Sequence, residues 1–329
     1  MAFGAVGAFR APATLAQEAT EYLGPHFPYS RFDALPHSTI ETDGGKIEIA
    51  FAPERMGQQK SAVFEWVRQS AKAIMTYMGR FPVPRLRLLI VPVPGAEIHG
   101  TTWGYEGAAI RITLGQDTPD NDVVRNWVLT HELVHVASPS LQDEHEHLWL
   151  EEGLSTYIQP IARAQAGLVS PAYVWRQFLW GMPQGLPQPG DQGLDHTHSW
   201  GRTFWGGALF CLLADLRIRM RTDNRQSLQT AMRAIAAAGG NVEVRWPIAR
   251  VLEITDRATA VPALTTLYET MKDKPYNVDL ARLWSRLGVT QASPEIGFES
   301  GTISLDDRAP LAAIRRAITT RPPAHPVPG

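Results

Sequence analysis

The stretch His131-Glu132-Leu133-Val134-His135 decides how the rest of the chain is organised. Two histidines four positions apart lie on one face of an α-helix, about one turn from each other, so both imidazoles can reach the same metal ion. Glu132 then points beside that ion, where a carboxylate can act as general base on a water molecule. The stretch therefore predicts a helix that carries a zinc site.

A second stretch, Trp149-Leu150-Glu151-Glu152-Gly153, can supply the third ligand of that site. Its glycine has no Cβ, which lets two helices approach closely enough to share an ion. The alternative is a surface helix with two solvated histidines and an unrelated acidic patch. Burial of the first motif is favoured by four apolar residues around it: Val124, Trp127, Val128 and Val134.

The chain before these two stretches predicts a small sheet. Alternation of apolar and polar residues around Asp43-Gly44-Gly45 predicts a hairpin over residues 40–50. Residues 61–78 have the periodicity of a helix. The near-continuous apolar run at residues 86–92 predicts a central strand. Residues 108–115 alternate better between apolar and polar, which predicts an edge strand that borders a cleft.

Helices follow the strands. Residues 121–138 predict one helix, ended by Pro139, and residues 151–167 predict another, which Pro160 bends or splits. A stretch rich in Gly, Pro and Gln at residues 181–199 predicts a functional or mobile loop. Further helices are predicted at residues 205–221, 225–238, 246–257, 262–272, 278–287 and 310–319, with a short strand at 301–305. The fold class is therefore α+β, a small mixed sheet backed by metal-binding helices.

This pattern predicts five parts along the chain. They are an irregular N-terminal segment (1–37), a metal-binding core (38–180), a loop bordering the active site (181–204), a helical subdomain (205–290), and a last strand and helix with a disordered tail (291–329).

Composition narrows the function classes. The chain has 329 residues, of which 44% are apolar and 19% charged, as is typical of a globular protein. The formal net charge of −2 provides no basic field, which argues against a nucleic-acid partner. No apolar run approaches the length of a membrane span. The only cysteine, Cys211, predicts a buried thiol and excludes an internal disulfide. Residues 1–17 fit a trimmed signal sequence or an irregular start equally well, so an exported and a cytoplasmic location both stay open.

The two motifs together resemble the gluzincin metallopeptidases. The pattern His-Glu-x-x-His, a spacer, then Trp-Leu-x-Glu-Gly-x-x-x-Tyr is most similar to the aminopeptidase N family and its relative, the glycyl aminopeptidase family. The stretch Thr203-Phe204-Trp205-Gly206-Gly207-Ala208-Leu209 is similar to the Tyr-x-x-Gly-Ala segment that opens a helix in those families. The resemblance extends over roughly residues 84–222.

The resemblance implies a thermolysin-like zincin domain with one Zn²⁺ per chain. It implies His131, His135 and Glu152 as zinc ligands and Glu132 as general base. Sixteen residues separate His135 from Glu152, where the aminopeptidase N pattern usually has eighteen, which keeps Glu151 open as the ligand. Glu152 is preferred because it directly precedes the glycine, as in the family.

Phe204 departs from the family pattern. It falls where those families have a tyrosine whose hydroxyl stabilises the oxyanion of the tetrahedral intermediate, and the loss of one such donor costs about two to three orders of magnitude in rate. The candidates for a replacement donor are Tyr157, His196 and His198. The two histidines are favoured because the thermolysin-type sites that this chain resembles use a histidine from a later segment; a solvated loop is the competing interpretation.

Three further features are candidates for the site. Glu106 lies about where aminopeptidase N relatives carry a glutamate that binds the free amine of the substrate, although a turn carboxylate without a role is the alternative. Residues 143–147 are dense in metal-ligand types and predict a solvated loop, with an accessory metal site or a substrate contact as the less favoured alternative. Thr156 follows Glu152 by one helical turn, which predicts that it orients a ligand.

The sequence therefore predicts a zinc-dependent peptidase with a peptide or protein substrate. The substrate is expected along the predicted edge strand at residues 110–114. Two alternatives stay open: a zinc-binding, peptide-recognition protein with weakened catalysis, and a zinc hydrolase of a non-peptide substrate. Exopeptidase or endopeptidase specificity and the oligomeric state also stay open.

Overall fold

The computed structural model describes residues 21–53 and 59–321. Its centre is a mixed sheet of five strands in the order β1-β2-β3-β5-β4. The strands are His37–Thr42 (β1), Gly45–Phe51 (β2), Arg85–Val93 (β3), Ile98–Trp103 (β4) and Ala109–Gly115 (β5). β2, β3 and β5 run parallel, while β1 and β4 pair antiparallel at the two edges. The mixed sheet with its many helices agrees with the predicted α+β class.

The hairpin and the central strand follow the sequence prediction, but the predicted edge strand does not. β1 and β2 pair around the turn at Asp43-Gly44, and β3 lies in the middle of the sheet. The prediction that residues 108–115 form an edge strand was wrong, because β4 pairs along the whole of β5 and occupies the edge itself. Substrate binding along residues 110–114 is therefore excluded as well.

Five helices accompany the sheet: Tyr29–Ala34 (α1), Lys60–Met78 (α2), Asp120–Arg125 (α3), Val128–Val136 (α4) and Glu144–Gln165 (α5). α1 lies within the segment predicted to be irregular. The single helix predicted over residues 121–138 is broken at Asn126, whose backbone is extended with φ −63° and ψ 141°. Asn126 Oδ1 accepts a hydrogen bond from the Val128 amide at 2.9 Å and so caps the start of α4. The break lets α4 take its own direction beneath the sheet.

α5 is longer than predicted at its N-terminal end. It begins at Glu144, so residues 144–147 form its first turn and not a loop. It also continues through Pro160, which neither ends nor splits it. The ring removes the helical hydrogen bond to the Thr156 carbonyl, but the side chains of Tyr157, Ile158 and Ile161 are buried around it. Tertiary packing thus holds a helix that local propensity disfavours.

The second half of the chain is mainly helical, as predicted. The helices are Pro171–Gly181 (α6), Gly207–Thr222 (α7), Leu228–Ala237 (α8), Ile248–Thr259 (α9), Ala263–Met271 (α10), Leu280–Leu287 (α11) and Ala312–Thr319 (α12). The short strands are Ser140–Leu141 (β6) with Arg245–Trp246 (β7), and Val289–Gln291 (β8) with Ile303–Leu305 (β9). A 3₁₀ turn at Met182–Gly185 lies within the loop predicted at residues 181–199, and a π turn at Gly201–Gly206 follows that loop. Most of the predicted disordered tail, residues 322–329, lies outside the described residues.

Both faces of the sheet are buried. One face packs against α2, α4 and α5 in an apolar core that continues without a break into the later helices. The other face presents Leu89, Val91 and Ala109 to the aromatic side chains of Tyr29 and Phe32 on α1. Because the larger core is continuous, the predicted boundary of a helical subdomain stays a prediction. None of the described helices is both long and apolar enough to cross a membrane.

Candidate metal centre

Helix α4 brings the His-Glu-x-x-His motif into the interior. His131 and Glu132 are each less than a tenth exposed. The Trp127 ring, one turn earlier on the helix, packs edge-on against the His131 ring at a centroid distance of 5.5 Å. The motif therefore lies on a buried helix beneath the sheet, and the alternative of two solvated histidines on a surface helix does not apply.

Three ligand-type atoms converge between α4 and α5. Glu152 Oε2 lies 3.0 Å from His131 Nε2 and 3.5 Å from His135 Nε2, and the two Nε2 atoms are 3.2 Å apart. A tetrahedral zinc ion with bonds of about 2.0–2.1 Å requires ligand atoms roughly 3.3 Å from one another. Two imidazoles and one carboxylate are also a ligand set that catalytic zinc sites use. The donor set and its spacing therefore fit Zn²⁺.

The attraction between Glu152 and His135 shifts the pKa values of both side chains. Burial alone raises the pKa of Glu152, but the charge of His135 and hydrogen bonds from both imidazoles lower that pKa well below its usual range. Burial lowers the pKa of His135, whereas the Glu152 carboxylate outweighs it and raises the pKa to about 9. The Glu152 carboxylate thus favours a positive charge beside it. A divalent cation supplies that charge while both imidazoles are neutral.

The Glu151 side chain contacts β6 and not the two histidines. Its Oε1 accepts a hydrogen bond from the Leu141 amide of β6 at 2.7 Å, and burial raises its pKa. Successive residues on a helix are about 100° apart, so only one of the two glutamates can face α4. Among the described residues, the group of ligand atoms around His131 and His135 includes Glu152 and not Glu151.

Glu132 is held by the edge strand β4. Thr102 Oγ1 donates a hydrogen bond to Glu132 Oε2 at 2.7 Å. Two residues earlier on the same face of the strand, Gly100 leaves room for this carboxylate, because a Cβ there would lie 2.5 Å from Glu132 Cγ. Neither residue was predicted from the sequence, and the strand that carries them was not predicted either.

The glycine after Glu152 does allow a close helix contact, but with a different helix from the one expected. A Cβ on Gly153 would come within 2.4 Å of the Gly207 backbone on α7. The prediction that this glycine brings the two metal-binding helices together was therefore wrong. Gly153 instead lets α7, and the π turn that precedes it, approach α5 closely.

Solved structures of other proteins have an architecture similar to that of this chain. The chain is similar to an aminopeptidase N family protein from Idiomarina loihiensis, with 14% sequence identity, a TM-score of 0.58, and coverage of 79% of this chain and 50% of that chain. The chain shares the fold of that aminopeptidase N family protein. It is also similar to an M1 zinc metallopeptidase from Deinococcus radiodurans, with 13% identity, a TM-score of 0.47, and coverage of 74% of this chain and 53% of that chain.

The chain spans about half the length of the solved structures that it matches. No protein-family model matches the sequence, and no curated protein matches it. The likeness to the aminopeptidase N family protein is therefore one of fold, and the site residues must be argued from their own geometry.

Phe204 lies beside the candidate metal centre. The π turn at Gly201–Gly206 carries it, and its ring stacks against the His131 ring at a centroid distance of 6.4 Å. The Trp200 ring packs on it at 5.9 Å. Phe204 thus lies next to His131, and its side chain offers no hydroxyl.

The three candidate replacement donors lie apart from the ligand atoms. Tyr157 is fully buried, and its hydroxyl donates to Asp215 at 2.9 Å. His196 pairs with Asp273, with Nε2 3.0 Å from Oδ1. The His198 ring packs against the ring of His145 at 4.2 Å. None of the three candidates lines either of the two cavities that border the metal centre.

Glu106 lies in the exposed turn between β4 and β5. Its main-chain carbonyl accepts a hydrogen bond from Arg87 at 3.4 Å. It does not line the cavity beside Glu132. The role of an amine-binding carboxylate therefore stays a prediction without support from its surroundings.

A second cluster of ligand-type residues ties the 181–199 loop to α5. Ligand atoms of Glu146, His147 and Asp195 lie within 4.8 Å of one another. The buried Asp195 carboxylate accepts hydrogen bonds from Trp149 Nε1 and from the Tyr268 hydroxyl, each at 2.7 Å. The prediction of a solvated loop was wrong for His147, which is buried. These contacts anchor the loop to the body of the protein.

Two cavities border the candidate metal centre. The acidic cleft, about 250 Å³ in volume, is lined by β4 and by four carboxylates: Glu132, Glu144, Glu151 and Glu152. The aromatic pocket, about 390 Å³ in volume, adjoins His131 and is lined by six aromatic residues: Trp127, Trp180, Trp200, Phe204, Trp205 and Phe298. Thr156, predicted to orient a ligand, lines the aromatic pocket. The site thus has one polar, charged side and one apolar side.

Proposed function

We propose that the protein is a zinc-dependent peptidase that hydrolyses peptide bonds, with Glu132 as general base. The observation that carries this proposal is the convergence of His131, His135 and Glu152 at zinc-ligand spacing, with the Glu132 carboxylate held beside them by Thr102. The fold shared with an aminopeptidase N family protein supports it.

In the proposed mechanism His131, His135 and Glu152 hold the ion. When bound, Zn²⁺ supplies Lewis acidity that polarises a carbonyl and lowers the pKa of water. Glu132 Oε1 or Oε2 accepts a proton from the attacking water and then gives it to the leaving amine. The Thr102 hydroxyl keeps one oxygen of this carboxylate in place, so that its orientation does not have to be found in each catalytic cycle.

The substrate backbone is proposed to extend along β4. This strand forms the edge of the sheet and lines the acidic cleft through Gly100, Thr101 and Thr102. An edge strand offers unpaired main-chain N–H and C=O groups to an added peptide strand. A peptide bound there would pass next to Glu132, which contacts the same strand.

A second candidate function is a zinc-binding, peptide-recognition protein with weakened catalysis. The observation that favours it is Phe204, which lies against His131 and contributes only its ring to the site. The two candidates share the metal, the cleft and the peptide, and they differ in turnover alone. Kinetic measurements therefore separate them.

The experiment compares the wild type with Glu132→Gln on a broad peptide panel. Gln keeps the size of the side chain and can still accept from Thr102, but it cannot take up the proton. We expect both proteins to bind one zinc per chain, and the variant to lose about 10²–10⁴-fold in kcat/KM. Glu253→Gln, at an exposed position on α9, is the matched control and should keep full activity. Equal activity of wild type and Glu132→Gln would refute the peptidase proposal.

The same panel addresses exopeptidase specificity. Each peptide is supplied with a free and with an acetylated N-terminus. An aminopeptidase loses activity on the acetylated form because its recognition of the free amine is lost. An endopeptidase cleaves both forms at similar rates.

A further inference from the structure

A third cavity is separate from the two that border the candidate metal centre. This arginine cavity, about 440 Å³ in volume, is lined by three arginines, Arg125, Arg163 and Arg176, and by a single carboxylate, Glu299. It shares no lining residue with the acidic cleft or the aromatic pocket. Its volume lies in the range of sites that hold small molecules, and the exposure of Arg125 and Glu299 leaves it open to solvent.

Arg163 brings a buried positive charge to this cavity. The side chain, on α5, is only 6% exposed. Its Nη2 donates to the Arg125 carbonyl at 2.6 Å and its Nη1 to the Tyr173 hydroxyl at 3.4 Å, and neither acceptor is charged. Within residues 21–53 and 59–321 no carboxylate forms an ion pair with this guanidinium. A buried charge without a counter-charge is unfavourable, so an anion in the cavity would stabilise it.

Arg176 adds a second positive charge close to the first. The guanidinium carbon of Arg176 lies 5.1 Å from the centroid of the Tyr173 ring, and that of Arg163 lies 5.4 Å from the same centroid. The ring attracts each cation, but it also brings two like charges near each other, where they repel. Arg176 is half-buried on α6, and its Nη2 donates to the neutral Phe298 carbonyl at 3.5 Å. An anion between the two guanidinium groups would remove the repulsion.

The lining as a whole is positively charged. Arg125, in the last turn of α3, carries the third guanidinium. The carboxylate of Glu299 accepts a hydrogen bond from the Tyr173 hydroxyl at 3.4 Å, and it forms no ion pair with any of the three arginines among the described residues. Three guanidinium groups against one carboxylate leave a net charge of +2 on the lining. The complementary ligand is therefore a dianion.

A phosphate group fits this charge and these donors. It carries a charge of about −1.5 to −2 at pH 7, whereas a single carboxylate would neutralise only half of the excess. The planar N–H fork of a guanidinium also matches two phosphate oxygens at once. Three apolar residues, Val124, Leu168 and Val169, line other parts of the cavity. They offer a surface to an organic group attached to the phosphate.

We propose that the arginine cavity binds a phosphate dianion, either free or as the end group of a small phosphomonoester. Arg163 and Arg176 contact the phosphate oxygens, and Arg125 adds a third positive charge at the open end. This inference goes beyond the peptidase proposal and does not depend on it, because the two sites share no residue.

Calorimetric titration of the zinc-loaded wild type tests binding. The ligands are sodium phosphate, glucose 6-phosphate and glucose, at constant ionic strength set with sodium chloride. We expect both phosphate compounds to bind and glucose not to bind. Tighter binding of glucose 6-phosphate supports the ester as the ligand, and tighter binding of phosphate supports the free anion. If neither phosphate compound binds, or if glucose binds equally well, the proposal is wrong.

Two substitutions of opposite effect assign the binding to the cavity. Arg176→Gln removes one guanidinium and should weaken phosphate binding about tenfold or more, since a hydrogen bond to a charged group contributes about 1.5–3 kcal/mol. Glu299→Gln removes the only carboxylate and should strengthen binding about twofold to fivefold, the size of an exposed charge interaction. A gain in affinity cannot come from a damaged fold. Arg176 is chosen over Arg163 because Arg163 also bonds to the main chain of α3.

Arg225→Gln is the control for the loss of one positive charge. Arg225 is 77% exposed and lies outside the arginine cavity, so its substitution should leave the phosphate affinity unchanged. Phosphate bound at the metal centre would respond to neither cavity substitution. Affinities that are the same in Arg176→Gln, Glu299→Gln and the wild type would therefore overturn the proposal.

Discussion

Gly153 of α5 lies against Gly207 of α7 so closely that a Cβ on Gly153 would come within 2.4 Å of the Gly207 Cα. The reverse substitution is even tighter, because a Cβ on Gly207 would lie 1.9 Å from the Trp149 carbonyl oxygen. Gly153 directly follows Glu152, and Gly207 follows the π turn that carries Phe204. The contact between these glycines therefore fixes the proposed third zinc ligand relative to the aromatic pocket.

The variant Gly153→Ala tests this relationship. The added methyl group meets backbone atoms, which cannot move aside as a flexible side chain would, so α5 and α7 must separate. We expect the free energy of unfolding to fall by about 1–3 kcal/mol and the zinc affinity to fall with it. Thermal unfolding and zinc titration measure the two effects. Gly24→Ala is the control, because nothing lies within 4 Å of the Cβ position there.

The variant Thr102→Val tests whether the Thr102 hydroxyl positions the Glu132 carboxylate. Valine keeps the shape of the side chain but loses the hydroxyl that donates to Glu132 Oε2 at 2.7 Å. We expect kcat/KM to fall about tenfold or more, since a hydrogen bond to a charged group contributes about 1.5–3 kcal/mol, while zinc content stays the same. Thr39→Val, on the opposite edge strand, is the matched control. A variant with full activity would mean that Glu132 needs no such support.

The parts of the fold that the sequence predicted are those with strong local patterns. Residues 61–78 have a clear helical period and form α2 almost to the residue, and the apolar run at residues 86–92 forms the central strand β3. The two histidines proposed as zinc ligands were singled out because their four-residue spacing places both on one face of a helix. Side-chain placement that depends on local spacing can therefore be predicted without a structure.

The parts that could not be predicted depend on distant neighbours. β4 contains Gly100, which weakens a strand pattern, but the site requires glycine there because Glu132 occupies the space of a Cβ. Pro160 disfavours a helix locally, and only the tertiary packing of α5 overrides it. The assignment of Gly153 failed for the same reason, since the sequence does not state which helix lies opposite.

The two neighbouring glutamates allow a matched test of the third ligand. We expect Glu152→Gln to weaken zinc binding by more than about 100-fold, because even the loss of a residue that supports a ligand costs about 10–100-fold. Glu151→Gln should keep its zinc, since its side chain faces the Leu141 amide, and an amide oxygen can accept that hydrogen bond too. Zinc per chain is measured by elemental analysis after competition with a chelator. The opposite order would assign the ligand to Glu151.

Restoring the tyrosine at Phe204 tests whether the missing hydroxyl limits turnover. The ring already lies 6.4 Å from the His131 ring, centroid to centroid, so Phe204→Tyr adds a donor beside the metal centre without moving the backbone. Because one oxyanion donor contributes about two to three orders of magnitude in rate, we expect kcat to rise at least about tenfold. Phe64→Tyr on α2 is the control for the substitution itself and should leave kcat unchanged. If kcat of Phe204→Tyr equals that of the wild type, another group stabilises the oxyanion, and Phe204 then serves the aromatic pocket alone.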